Sequence, residues 1–202
     1  MKIIIKYTFL FIFALVGFAA SAQDSHTTNT DRKWYLPDHV TLQFAGNIGL
    51  LSAGPGYSYL NDKVNTDILY GFVPGFESNT SIHILTAKNY YTPFRVDLND
   101  KFQWEALKLG TGVSYSLGQQ FYTSLPKRYP DNYYWWASSL RFTPFIGTAI
   151  SAKVGNDATI IKRLQFYTEL GTTDLDLVSK LDNKSLSVYD ILNLAIGTKL
   201  VF

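Results

Sequence analysis

The sequence contains no cysteine among its 202 residues. This absence excludes disulfide bonds, a lipid anchor attached through a cysteine and cysteine-ligated metal sites. Histidine is scarce as well, with only His26, His39 and His83. No phosphate-binding loop, zinc-ligand spacing or calcium loop is present. We therefore expect no metal ion and no cofactor.

Long apolar runs are absent after the first 22 residues. The chain begins with the basic residues Lys2 and Lys6, continues with an uncharged apolar run over 7–20, and reaches an Ala-Ser-Ala site at Ala22. This order predicts a secretory signal peptide, residues 1–22, that is cleaved after Ala22. A retained membrane anchor is disfavoured, because the run is shorter than the roughly 20 residues of a spanning helix.

An excess of charge of one sign is also absent. The chain has 18 Lys and Arg against 16 Asp and Glu, and loss of Lys2 and Lys6 with the leader leaves 16 of each. A neutral chain has no electrostatic basis for binding nucleic acid, so we expect no such partner. We divide the remaining chain into a flexible lead-in, 23–38, and one folded domain, 39–202.

Aromatic residues and period-two alternation are abundant. Aromatic residues make up 16% of the chain, with 14 Tyr, 14 Phe and 4 Trp. Apolar residues alternate with small or polar ones over segments of strand length, which predicts β-strands with one apolar face. We predict eight strands, over about 39–50, 57–59, 64–73, 81–91, 104–118, 139–154, 163–171 and 192–202.

The predicted connections alternate between short and long. The shorter ones are 61–63, 93–101 and 155–161, the longer ones are 74–80, 119–137 and 172–187, and 52–56 is a short exception. An even strand count with turns at one end and loops at the other is typical of a membrane-spanning β-barrel. Pro144 falls inside the sixth strand, where we expect a bulge. The inward face of the fourth strand is ambiguous, since His83 has apolar neighbours on both sides.

The last predicted strand has the sequence LNLAIGTKLVF and ends at Phe202. Its apolar residues occupy every second position, and its length matches the roughly 9–11 residues of a membrane-spanning strand. It resembles the terminal strand of small bacterial outer-membrane β-barrels, which are porin-like and eight-stranded. The resemblance implies that Phe202 is an assembly signal recognised by the barrel-assembly machinery.

Together these features predict an all-β fold, an eight-stranded antiparallel up-and-down transmembrane β-barrel that follows a cleaved signal peptide. Such a protein lies in the outer membrane of a Gram-negative cell envelope and contacts its lipid and lipopolysaccharide. We expect a structural or surface-interaction role.

The predicted inward face carries six charged residues among small and polar ones. An eight-stranded barrel is just wide enough for its side chains to fill, and buried charges have to be paired. We therefore predict an internal polar network that plugs the barrel in place of an open pore, formed by Asp67, Lys88, Lys108, Arg141, Glu169 and Lys199.

The long loop before the sixth strand is rich in aromatic residues. Tyr and Trp at headgroup depth anchor a barrel in the membrane interface, and they also serve as anchors of recognition. The loop is therefore either an interfacial anchor or a binding platform for glycan, lipopolysaccharide or a host surface. Its aromatic residues are Phe121, Tyr122, Tyr129, Tyr133, Tyr134, Trp135 and Trp136.

Candidates for catalysis are few. Ser81 and His83 share one face of a predicted strand and form a possible nucleophile and base, with Glu77 or Glu105 as the orienting carboxylate. The pair resembles that of outer-membrane lipid A deacylases, although those enzymes have the order His-x-Ser. A lipid A-modifying hydrolase is therefore one alternative function. A soluble secreted lipocalin-like barrel that binds a ligand is another, because periodicity alone does not say which face is inside.

Overall fold

The computed structural model describes residues 35–78, 80–118, 121, 138–155, 159–183 and 185–202. The predicted leader, most of the lead-in and most of the aromatic loop lie outside these residues. The described chain consists mainly of eight β-strands, which are β1 (His39–Ala45), β2 (Leu51–Tyr59), β3 (Val64–Val73), β4 (Ile82–Asp97), β5 (Phe102–Leu117), β6 (Leu140–Lys153), β7 (Arg163–Gly171) and β8 (Asn193–Val201).

The strands form one closed sheet, in which each pairs with its neighbours in the chain and β8 pairs with β1. All eight pairings are antiparallel. The predicted all-β, eight-stranded, up-and-down barrel is therefore confirmed. His39 and Val201 pair at one end, which we call the turn end because the β2–β3, β4–β5 and β6–β7 connections lie there. The other four connections lie at the opposite end, the loop end.

The strands are strongly staggered around the barrel. The stagger can be measured by following paired residues from His39 around the barrel in both directions. Through β2, β3, β4 and β5 the pairs lead to Thr143 on β6, and through β8 and β7 they lead to Lys153 on the same strand, ten positions away. A closed barrel requires such a stagger, and it corresponds to a strand tilt of about 40°. A row of paired residues consequently climbs from the turn end at β1 to the loop end at β6.

The outward face of the barrel is apolar and its inward face is polar. The outward side chains of Phe44, Leu51 and Ile196 are 55%, 57% and 53% exposed, whereas the inward Asp67 and Lys108 are fully buried. The alternation predicted for the third, seventh and eighth strands agrees with this pattern. A water-soluble ligand-binding barrel has the opposite arrangement, with its apolar side chains inside.

The first strand ends earlier than predicted. β1 stops at Ala45, residues 46–50 form the connection, and β2 begins already at Leu51. Ala45, Gly46 and Gly49 adopt positive φ, of 58°, 81° and 124°. This conformation, which glycine tolerates well, ends the alternation. Ile48 consequently turns inward and is buried, although the pattern assigned it to the apolar face.

Two irregularities in β4 and β5 also differ from prediction. β4 continues through Pro93 to Asp97, and its register with β5 shifts between Tyr91 and Phe94, where a residue without an N–H is tolerated. The register of β5 with β6 shifts between Glu105 and Lys108, so both side chains point inward although they are three residues apart. The sequence left open which face of β4 points inward. In the structure it is the face that carries Lys88, which is buried.

Pro144 is inside β6, as predicted, but without a bulge. It pairs with Thr111 of β5 in an uninterrupted register. Pairing between β6 and β7 begins one residue later, at Phe145. Pro144 therefore lies beyond the end of that ladder and interrupts none of its hydrogen bonds.

Two of the loop-end connections contain helices that the sequence analysis did not predict. A one-turn helix, α1 (Gly75–Ser78), follows β3, and α2 (Asp174–Asp182) and a 3-10 helix (Val188–Ile191) follow β7. The hydroxyl of Thr173 caps α2 by accepting from the backbone N–H of Asp176. None of the helices in the described part of the chain is both long and apolar enough to cross a membrane.

Candidate functional site: the charged interior of the barrel

The barrel interior contains two clusters of buried charged side chains. The first, which we call the aspartate cluster, consists of His39, Thr41, Asp67, Tyr90 and Lys199. Nζ of Lys199 donates to Oδ2 of Asp67 at 3.0 Å, and Nε2 of His39 lies 2.7 Å from Oδ1. Thr41 donates to Oδ2 at 3.2 Å, and Lys199 also donates to the hydroxyl of Tyr90. Both oxygens of the buried carboxylate are therefore hydrogen-bonded.

The second cluster, the glutamate cluster, consists of Gln43, Lys88, Lys108, Tyr167 and Glu169. Glu169 accepts from Lys88 at 2.5 Å on Oε2 and from Lys108 at 3.2 Å on Oε1. Oε1 of Gln43 accepts from Lys88 at 2.9 Å and from the hydroxyl of Tyr167 at 3.0 Å. Each ion pair joins strands that are not neighbours, so the cluster spans the lumen.

Aromatic rings join the two clusters. Nζ of Lys108 lies 4.4 Å from the ring centroids of both Tyr90 and Tyr167, and Nζ of Lys199 lies 4.2 Å from that of Tyr90. The clusters contain two carboxylates and three lysines, so one positive charge has no carboxylate partner of its own within them. The electron-rich ring faces stabilise this charge by cation–π interaction.

Glycines separate the strands whose side chains meet across the lumen. Each of these glycines pairs with one large residue on each of its two neighbouring strands. Because the glycine has no side chain, the two large side chains contact each other across it. We call these glycines the spacer glycines, and they are Gly56 between His39 and Asp67, Gly110 between Tyr90 and Phe145, Gly147 between Lys108 and Glu169, and Gly197 between Gln43 and Tyr167.

The clusters separate two pockets. The pocket toward the loop end is lined by Ile48, Thr143 and Lys88 among others, and the pocket toward the turn end by His39, Arg95 and Arg163 among others. Lys108 and Tyr167 line neither pocket and are 0% and 1% exposed. The lumen is therefore closed between the two pockets.

Five of the six residues predicted to form the lumen network belong to these clusters, Asp67 and Lys199 to one and Lys88, Lys108 and Glu169 to the other. The sixth, Arg141, lies closer to the loop end, beside Ser114, where its Nη1 donates to the carbonyl oxygen of Leu140 at 2.9 Å. The sequence indicates that Arg141 faces inward, but it does not indicate how far along the lumen it lies.

The predicted network did not include five members of the clusters, namely His39, Thr41, Gln43, Tyr90 and Tyr167. The alternation that begins at His39 gives it the same face as Thr41 and Gln43, so its inward direction could have been inferred. The inward direction of Tyr90 was not predicted, because the sequence left open which face of β4 points inward. Which of these side chains meet across the lumen depends on the stagger of the barrel, for which the sequence offers no signal.

The structure does not bring Glu105 to Ser81 and His83, and the side chain of Glu77, the other candidate carboxylate, lies outside what the structure describes. His83 faces outward at the loop end, where its Nδ1 is 2.5 Å from the Tyr70 hydroxyl and its ring packs against Phe72. Ser81 precedes β4 and is exposed. Glu105 is buried near the turn end, where its Oε1 pairs with Nε of Arg95 at 3.3 Å. The register shift in β5 turns Glu105 inward, and most of the length of β5 separates it from His83.

The two remaining sets of predicted residues are described only in part. Phe121 is partly buried, and its N–H donates to the carbonyl of Gly118 at 3.1 Å. The other aromatic residues of the loop, from Tyr122 to Trp136, lie outside the described residues. Phe202 follows the last residue of β8, and its N–H donates to the carbonyl of Asp38 at 3.0 Å.

A metal site is not apparent in the described part of the chain, where no three His, Asp or Glu side chains gather in a ligating arrangement. No family model matches the sequence, and neither the curated proteins nor the solved structures contain a match. Function therefore has to be inferred from the geometry of the barrel.

Proposed function

We propose that the protein is an integral outer-membrane β-barrel with a structural or surface-interaction role, and that the charged clusters plug its lumen. The observation that carries this proposal is the inverted polarity of the barrel. Lipid stabilises an apolar exterior, whereas water would leave that exterior as a large unfavourable apolar surface. A closed barrel also leaves no unpaired strand edge toward lipid.

The outward aromatic residues support the same proposal. They concentrate toward the two ends of the wall, as do the aromatic girdles of membrane barrels at the two interfaces. Exposed examples near the turn end are Tyr59, Phe94, Phe102 and Trp104, and examples near the loop end are Phe44, Tyr70, Phe72 and Tyr115. The predicted signal peptide and the terminal Phe202 fit export and assembly into the outer membrane, with lipid and lipopolysaccharide as the surroundings.

The geometry of the described residues supports a membrane barrel and assembles no complete catalytic site in it. A soluble lipocalin-like barrel needs an apolar cavity, but this lumen is occupied by Asp67, Lys108 and Lys199. A hydrolase of the deacylase type needs its nucleophile, base and carboxylate together. Ser81 and His83 are remote from Glu105, which leaves Glu77 as the one candidate carboxylate at their end of the barrel. Neither alternative is favoured by a specific observation.

Heat-modifiability in separated membranes tests the proposal. The full chain is produced in a Gram-negative host, inner and outer membranes are separated, and boiled and unboiled samples are compared on a gel. We expect an outer-membrane band that shifts on boiling, because a closed barrel resists detergent until it is heated. A soluble protein without a shift would contradict the proposal.

A further inference from the structure

A row of polar side chains crosses the apolar outer wall. Thr66, Asn89 and Thr111 are paired across β3, β4 and β5 and share the outward face. The hydroxyl of Thr66 donates to Oδ1 of Asn89 at 2.7 Å. The hydroxyl of Thr111 is buried and has no hydrogen-bond partner among the described residues. The row therefore has one internal hydrogen bond and unused polar groups beside it.

This row lies in the middle of the wall. Along β4 the outward side chains run from His83 near the loop end through Leu85 and Ala87 to Asn89, and then to Tyr91 toward the turn end. Asn89 is the one outward-facing amide side chain in the strands that the structure describes. A polar group at this depth in a membrane has no water to bond, so it requires a protein partner.

The chemistry of the row indicates what that partner is. An amide both donates and accepts, so a second copy of the same surface, related by a twofold axis, offers the complementary groups to Asn89. Ala87 is exposed next to it, and a small residue lets two backbones approach closely in lipid. Outward polar groups elsewhere can be satisfied within the barrel, as the hydroxyl of Thr148 is by Trp104 and the carbonyl of Glu105.

We propose that two copies of this chain associate in the membrane through the outer faces of β3, β4 and β5, with the Asn89 amides hydrogen-bonded to each other at the centre. This inference rests on the proposed function, since only a membrane deprives the outward amide of water. The surrounding residues of the interface are Thr66, Ile68, Ala87, Leu109 and Thr111.

The absence of cysteine makes cross-linking the natural test. Ala87→Cys introduces a unique thiol beside Asn89 without removing it. Thr168→Cys, outward on β7 on another side of the barrel, is the matched control. On oxidation with copper phenanthroline in isolated outer membranes, we expect a band of twice the monomer mass for Ala87→Cys and little for Thr168→Cys. Adding Asn89→Leu should lower the cross-linked fraction by roughly threefold to tenfold, as expected for one interchain hydrogen bond in lipid.

The readouts separate this inference from the proposed function. If both cysteine variants are heat-modifiable outer-membrane proteins but cross-link equally, or if Asn89→Leu leaves the dimer band unchanged, the dimer is wrong and the membrane barrel stands. A cross-linked band of a different mass would identify another partner and overturn the second copy. Loss of the heat shift in the parent chain would contradict the proposed function itself.

Discussion

At the scale of single residues, the spacer glycines determine how closely the charged side chains of the lumen approach one another. Lys108 and Glu169 lie in one row with Gly147 between them, and the ion pair of 3.2 Å forms over that glycine. A side chain at this position would occupy the space that the pair uses. The absence of a side chain is therefore as necessary to the clusters as the charges are.

We predict that Gly147→Ala destabilises the barrel and that Gly112→Ala, also inward-facing, does not. A Cβ at Gly147 would lie 2.5 Å from the carbonyl oxygen of Thr168 and 2.7 Å from Cγ of Glu169, whereas at Gly112 the nearest atom is 3.4 Å away. Overpacking of this kind lowers the free energy of unfolding by about 1–3 kcal/mol. Urea titration of the two variants in detergent micelles measures the difference, and equal midpoints would contradict the prediction.

The ion pair between Asp67 and Lys199 should show strong coupling. Either Asp67→Asn or Lys199→Met leaves a buried charge without its partner, and we expect each to lower the free energy of unfolding by about 3–5 kcal/mol. The free energy of unfolding of the double variant should fall by less than the sum of the two single effects, because the double variant contains no unpaired buried charge at this pair. A double-mutant cycle measured by urea unfolding checks this, and strict additivity would show that the two groups act independently.

At the scale of elements, the outer face of each strand should tolerate charge only outside the membrane. We predict that Leu109→Arg, outward on β5 and 45% exposed, destabilises the barrel in lipid by about 2–4 kcal/mol, as arginine does at the membrane midplane. Leu98→Arg, 53% exposed in the β4–β5 turn, is the control and should have little effect. Folding yield in lipid vesicles over a urea series measures both.

The sequence predicted those elements in which the alternation is uninterrupted. The bounds of β3 and β7 agree with the structure, and the faces of β8 are those expected. Prediction failed where one residue breaks the period, at Gly49, Pro93 and the Glu105–Lys108 irregularity, because a single register shift reverses every later side chain. The helix α2 was missed because its cap, Thr173, lies in a stretch that is polar enough to suggest a loop.

The sequence predicted which charged side chains point into the lumen, but not which of them form ion pairs with each other. Alternation alone gives Lys88 and Glu169 inward side chains. That they meet each other, 81 positions apart in the chain, follows from the number of strands and their stagger. The sequence predicted the number of strands, but the stagger is not encoded in a local pattern, so a single sequence indicates which charges are inside but not which are partners.

At the scale of the whole molecule, the two clusters should make the barrel impermeable. Tyr167, Lys108 and Lys199 are almost wholly buried and occupy the middle of the lumen. We predict that vesicles containing the folded protein, verified by its heat shift, release a small trapped sugar no faster than empty vesicles. Rapid release would show that the clusters do not plug the barrel.

The cross-lumen pairs also join strands that are far apart in the chain, which has a consequence for the order of folding. Asp67 on β3 pairs with Lys199 on β8, 132 residues later in the chain, and Lys88 on β4 pairs with Glu169 on β7. Asp67 already has His39 and Thr41 of β1 as hydrogen-bond partners, but its ion pair with Lys199 cannot form before β8 is in place. Contacts this distant in sequence form slowly and late. We therefore expect these ion pairs to form with the closure of the ring by β8, as one of the last steps of folding.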